Sequence, residues 1–318
     1  MQKNDLFTSA VCKSREKYLL GQDKLLRLLD APTYEDGLRL LNDFGFGRTA
    51  NAQPLLADIL YAEEQSLIEF IKEYAPKSGS ANYFLLGYDF LNAEALLKAR
   101  ALNMDSKKYL THAGLLSIEE LKLALNGGAC KIPEISEAFV AGQKLFDQST
   151  PTGAMLDTVF VRAQFKALLR LTKNRALKKV IVTEIDLKNI SISLRARDED
   201  EYKALKIDGG TLTKAQEEAL LSREEARIKS VFKQGALYDF VLAALSAQDK
   251  PLADFERLQE SFALARFKAE RFALTKDAPF ILYCMYRRAD IKNVRLIMVS
   301  LYNGADKTQI RTKIRESY

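Results

Sequence analysis

Three pairs of residues in this chain join a carboxylate to an amide three positions on: Asp89 with Asn92, Asp186 with Asn189, and Asp290 with Asn293. On a helix that spacing puts both side chains on one face. In the third pair Val294 and Ile297 continue the face, and a carboxylate and an amide among apolar neighbours are costly to bury unless hydrogen-bonded. The chemistry such a pair suits best is structural, holding a neighbouring helix at a fixed position. Decoration of a solvated face is one alternative and a metal or ligand site another. The metal reading is the weaker, because no second carboxylate recurs at a fixed offset in all three places. An enzyme that uses the Asp-x-x-Asn residues is a third alternative; its activity would be lost in Asp186→Asn, whereas a packing role would be spared apart from stability.

The rest of the reactive inventory is sparse. There is one histidine, His112, and there are three cysteines, Cys12, Cys130 and Cys284, none near another. Ser-His-Asp or Cys-His catalysis would have to use His112, which has no carboxylate within four residues and reads as a turn or cap residue. A zinc site has no His/Cys cluster to be built from. Gly45-Phe46-Gly47-Arg48-Thr49, Gly127-Gly128 and Gly209-Gly210 lack the Gly-x-x-x-x-Gly-Lys-Ser/Thr arrangement that cradles phosphates; the two glycine pairs read as helix ends. No catalytic residue, cofactor or metal ligand is therefore assigned.

Two basic stripes stand out at helical spacing: Arg162, Lys166, Arg170 and Lys173, and Lys307, Arg311 and Arg315, the latter flanked by Ile310, Ile314 and Tyr318. Acids at i±4 do not answer every base. Each stripe is either a solvated surface or a face suited to an acidic partner, where complementary charge speeds and orients docking.

The elements that must position these residues read as helices throughout. Asp23–Leu29, Tyr34–Phe44 and Leu55–Tyr74 carry apolar residues three and four apart. Met155, Val159, Ala163 and Ala167 step by four. Pro251 and Pro279 sit where helices begin. The β-branched Val180–Val182 lies in a periodic stretch and is assigned to helix. The expected class is all-α.

The order of elements also recurs. A glycine and leucines (Gly21 with Leu25-Leu26, Gly114 with Leu115-Leu116, Gly209-Gly210 with Leu212) precede a long helix (Leu55–Tyr74, Leu156–Lys173, Phe255–Thr275) and then Asp-x-x-Asn. The period is about a hundred residues, a usual domain size. Three homologous helical units, 1–110, 111–206 and 207–318, are expected.

With 48 Lys and Arg against 42 Asp and Glu, the net charge of the 318 residues is +6; 47 % of them are hydrophobic and 28 % charged. The basic excess is small and interspersed with acids, and tryptophan is absent, which argues against nucleic-acid binding. No window reaches the ~18–20 apolar residues of a membrane span; Phe280–Tyr286 stops at charges. No signal peptide is evident, and the unmatched cysteines fit a reducing, cytosolic setting.

The third unit carries a resemblance. Pro279-Phe280-Ile281-Leu282-Tyr283, Arg287-Arg288-Ala289-Asp290-Ile291-Lys292-Asn293-Val294-Arg295-Leu296-Ile297, Tyr302-Asn303-Gly304 and Gln309-Ile310-Arg311 resemble the C-terminal signature of the C subunits of V-type (A/V-type) rotary ATPases and ATP synthases, whose eukaryotic counterpart is the d subunit. Ile185-Asp186-Leu187-Lys188-Asn189 and Tyr88-Asp89-Phe90-Leu91-Asn92 resemble that family's second and first repeats. Ser14-Arg15-Glu16-Lys17-Tyr18-Leu19-Leu20 is a looser version of its Arg-rich opening. The resemblance implies a non-catalytic coupler whose three units form a funnel. Its expected partners are the central shaft subunits (D and F type) and the membrane ion-binding ring, with the chain peripheral on the cytoplasmic face. Transport of H⁺ or Na⁺ and the chemistry of ATP would belong to other subunits. A helical-repeat adaptor unrelated to rotary ATPases is the competing expectation.

Overall fold

The computed structural model describes residues 5–47, 54–148, 151–233, 236–246, 252–268 and 277–318. Among them it is all-α, without a strand. In chain order the helices are α1 (Asp5–Arg15), α2 (Gly21–Leu29), α3 (Tyr34–Asp43), α4 (Leu56–Tyr74), α5 (Ser80–Ala101), α6 (Ile118–Leu125), α7 (Pro133–Gln148) and α8 (Gly153–Leu171). There follow α9 (Arg175–Arg195), α10 (Glu199–Leu205), α11 (Lys214–Ser222), α12 (Glu225–Phe232), α13 (Ala236–Ser246), α14 (Leu252–Lys268), α15 (Ala278–Tyr302) and α16 (Lys307–Lys313). The β-branched run at 180–182 is helical, inside α9. Pro279 lies in the first turn of α15, where its missing N–H costs nothing. Pro251 and the end of the Phe255–Thr275 segment lie outside the described residues, as do Arg48 and Thr49.

Helix starts follow local chemistry. Thr33, Ser117, Thr152, Asn174, Asp198 and Thr213 each precede a helix and accept a backbone N–H from its first turn. Such a cap contributes about 1 kcal/mol. Ser117 with Glu120 and Thr213 with Gln216 complete reciprocal capping boxes.

The chain gathers into two compact units, one of residues Met1–Lys77 with Glu260–Tyr318 and one of Ser78–Gln259. In the first, α15 is the central helix: α1, α2, α3, α4 and α16 all pack on it. Its buried residues are not confined to one stripe, as expected of a helix surrounded by others. Phe70 of α4 lies against Phe280 and Tyr283 of α15 at ring centroid distances of 5.9 and 4.8 Å. Cys12 and Cys284 are buried there, and burial pushes the Cys12 thiol up to about 12 and the Cys284 thiol also upward, so both are chemically quiet.

In the second unit, α5 packs on α6, α7 and α8, and α9 packs on α8, α10, α11 and α13. Both α5 and α9 bury apolar residues together with their aspartate and asparagine. No helix among the described residues is long and apolar enough to cross a membrane.

Candidate functional site

Each of the six Asp-x-x-Asn side chains is at most 1 % exposed, and each closes on backbone rather than on another side chain's charge. The Asn92 amide donates to the Thr111 carbonyl at 2.7 Å and accepts the Thr111 N–H at 2.9 Å. Asn189 does the same with Ile207, at 2.8 and 2.8 Å, and Asn293 with Arg315, at 3.0 and 2.8 Å. A helix-borne amide thus imitates the edge of a strand for one residue of an extended segment.

The aspartates finish the grip a few residues further along. Asp89 accepts the N–H groups of Leu115 and Leu116 at 3.0 and 2.9 Å. Asp186 accepts those of Thr211 and Leu212 at 2.6 and 3.1 Å, and the Thr211 hydroxyl at 2.6 Å. The backbone must come close for this. A Cβ on Gly114 would stand 2.1 Å from Asp89 Oδ1, and one on Gly210 would stand 2.3 Å from Asp186 Oδ1. Only glycine fits at either place. Gly210 is therefore not a helix end: α10 stops at Leu205, and the glycine lies in the loop that Asp186 holds. Gly127 does follow directly on the last turn of α6 and its cap Asn126.

The third clamp is built from two ends of the chain. Asn293 holds Arg315 near the C-terminus, whereas Asp290 Oδ2 accepts the N–H of Leu20 near the N-terminus at 3.0 Å. The neighbouring donor is already taken: the Leu19 N–H points to the Glu16 carbonyl at 3.0 Å in the 3₁₀ turn Glu16–Tyr18. Asp290 Oδ1 is consequently buried without a partner. Burial pushes this carboxyl up to about 7, with the Leu20 N–H and Arg287 acting against the rise.

Sequence order pairs each aspartate with the glycine before it. The structure instead pairs Asp89 and Asp186 with the glycine after it, and Asp290 with the start of the chain. A usable signal is present in the first two places. Gly-x-Leu runs straight into a capping box at Gly114–Glu120 and at Gly210–Gln216. At the third place Gly21 opens α2, and the cap residue before it, Leu20, offers no side-chain bond.

The basic stripes are largely answered within the chain. Arg162 donates to the carbonyls of Lys206 and Lys203 at the end of α10, at 2.7 and 3.1 Å. Lys166 pairs with Glu137 at 2.5 Å, and Arg170 grips the buried Glu134 through two nitrogens at 2.6 and 2.8 Å, holding that carboxyl below its ordinary range. The acids come from α7, which i±4 counting along α8 does not reveal. Lys307 donates to the Ala31 carbonyl at 2.7 Å, Arg311 pairs with Asp30 at 3.2 Å, and Arg315 with Glu260 at 2.5 Å. Lys173 is exposed. His112 is exposed in the turn that Asn92 and Asp89 hold. Sequence reading missed the buried ion pair of Arg287 with Glu63; its only trace was a base three residues before Asp290, on the same face of α15.

Among the described residues no group of three or more His, Cys, Asp or Glu side chains is placed to hold a metal ion. The arrangement binds backbone to helix, and what it offers chemically is positional restraint.

Known proteins match most of this chain's length. It is similar to the C subunit of the A-type ATP synthase of Pyrococcus abyssi, at 22 % identity over 98 % of this chain and 90 % of the relative. It is likewise similar to the C subunit of the V-type sodium ATPase of Enterococcus hirae, at 19 % identity over 81 % of each. The model of the ATP synthase (C/AC39) subunit family matches residues 8–313, from the N-terminal segment that Asp290 holds to the helix that ends beside the third clamp. With all three aspartate–asparagine pairs inside that match, the chain belongs to the ATP synthase (C/AC39) subunit family.

Proposed function

We propose that this chain is a non-catalytic component of the central stalk of a V/A-type rotary ATPase, passing torque between the central shaft and the membrane-embedded ion-translocating ring. The observation that carries the reading is the family match across residues 8–313. The clamps are consistent with it physically. A part that transmits force needs segments that do not slide, and hydrogen bonds from these carboxyl and amide groups to backbone contribute about 0.5–3 kcal/mol each against sliding. The three clamps further suggest three related units with boundaries near 1–110, 111–206 and 207–318. On those boundaries each aspartate reaches from one unit into the next, and the third reaches from the last into the first.

In this reading the protein sits peripherally on the cytoplasmic face, held by the shaft and the ring, and ATP chemistry resides elsewhere. Cross-linking from photoreactive side chains placed at exposed positions of the assembled complex tests it. Adducts with both the shaft and the ring are expected. Adducts confined to stationary components would overturn the proposal.

A further inference from the structure

Beside the third clamp, within the unit built on α15, lies a recess of ≈ 460 Å³ whose lining includes Arg15, Lys17, Glu63, Ser66, Tyr283 and Arg287. The positional role of the clamps makes no use of it. Among the described residues its one carboxylate, Glu63, is fully engaged. Glu63 accepts the Gly47 N–H at 2.5 Å and pairs with Arg287, which also donates to the Tyr18 carbonyl at 3.1 Å. That pair is neutral as a unit.

Two cations are left over. The Arg15 guanidinium lies 4.9 Å from the Phe70 ring centre and 5.4 Å from that of Tyr74. Ring faces orient a guanidinium and leave its N–H edge available. The Lys17 ammonium rests 5.0 Å from the centre of the Tyr18 ring. No ion pair among the described residues takes up either charge. Tyr283 is 6 % exposed and lines the same recess. Burial pushes its phenol up to about 12, so the hydroxyl remains a donor at neutral pH. Hydroxyl donors, two uncompensated cations and a silenced carboxylate make a site for an oxyanion. A tetrahedral, doubly charged phosphate can use donors converging from several sides, whereas a flat carboxylate is served by one arginine.

We propose that this recess binds a phosphate group through Arg15 and Lys17. The group could belong to a soluble phosphate or to a lipid headgroup, and the two sources separate experimentally. The purified full-length chain is titrated calorimetrically with sodium phosphate and with pyrophosphate, against sodium chloride at equal ionic strength. In a second arm it is sedimented with phosphatidic acid vesicles or with neutral phosphatidylcholine vesicles.

Saturable binding is expected, weakened about tenfold or more by Lys17→Gln and by Arg15→Gln and unchanged by Lys203→Gln in the other unit. Lys17 is exposed, so its variant keeps the test open should Arg15→Gln fold poorly. Binding to soluble phosphate assigns a free ligand, and binding to acidic vesicles alone assigns a headgroup; both support the site. Heat and sedimentation no greater than with chloride and neutral vesicles, or full binding by Lys17→Gln, would overturn it.

Discussion

The clamps at Asp186 and Asp290 use the same two side chain types at the same spacing, yet they are differently finished. Asp186 holds one continuous loop and has both oxygens satisfied, with Thr211 adding a hydroxyl. Asp290 holds a different stretch of chain from Asn293, accepts one N–H, and leaves an oxygen buried without a partner. The cause is local. The 3₁₀ turn before Leu20 consumes the Leu19 N–H, so the donor that completes the Asp89 and Asp186 clamps is absent. A repeated motif thus fixes where a grip is made; the segment it meets decides how firm it is.

Removing the two carboxylates should widen that contrast most. Asp186→Ala removes three hydrogen bonds, from the N–H groups of Thr211 and Leu212 and from the Thr211 hydroxyl, and is expected to cost about 3–5 kcal/mol. Asp290→Ala strands one N–H but also relieves a poorly solvated carboxylate, and the two effects offset, so at neutral pH its cost is expected to be far smaller. Urea unfolding followed by circular dichroism measures both; equal losses would erase the distinction.

Gly210→Ala should act next most strongly, at about 1–3 kcal/mol, because its Cβ would collide with Asp186 Oδ1 at 2.3 Å. At the third clamp no glycine stands between the aspartate and the segment it holds: Tyr18, at the corresponding distance before Leu20, is 54 % exposed. Tyr18→Ala should leave the unfolding midpoint of the α15 unit nearly unchanged.

How much of this could be read from the amino acids alone divides along the same line. The helices, and the burial of an aspartate with an asparagine on one face, follow from periodicity and the cost of unpaired polar groups. The partners do not, because apart from the Thr211 hydroxyl they are backbone N–H and carbonyl groups, which no side chain announces. Gly114 and Gly210 offer a partial signal through their capping boxes. Arg170 and Lys166 mislead in the opposite direction: their acids lie on α7, and charge counting along one helix cannot see a neighbour's face.

pH acts on the third clamp directly. Asp290 titrates near 7 in the fold against an ordinary 3.8, so the folded chain keeps a proton that the unfolded chain releases. Between about pH 4 and pH 7 this group makes stability fall as pH rises, by up to about 1.4 kcal/mol per pH unit. Its destabilising effect is absent below about 4 and complete above about 7. Asp290→Asn should flatten that slope and leave the protein more stable than wild type at pH 8. An unchanged slope in Asp290→Asn would show that the orphaned oxygen is not its source.

The smallest effect concerns thiol labelling. Cys12 is buried on α1, next to the N-terminal segment that Asp290 ties down, while Cys130 is only partly buried. Cys130 should be alkylated first in the native chain. Asp290→Ala should raise the Cys12 rate and Asp186→Ala should not, as mass spectrometry of the labelled peptides would report.

The central claim is that this protein carries torque and performs no ATP chemistry itself. Vesicles bearing the complex, assembled with and without the chain, allow ATP hydrolysis and ion uptake to be recorded together. The account predicts that without the chain hydrolysis continues while uptake stops, and that adding the chain back restores uptake. Full ion uptake in its absence, or ATP turnover by the isolated chain, would contradict it.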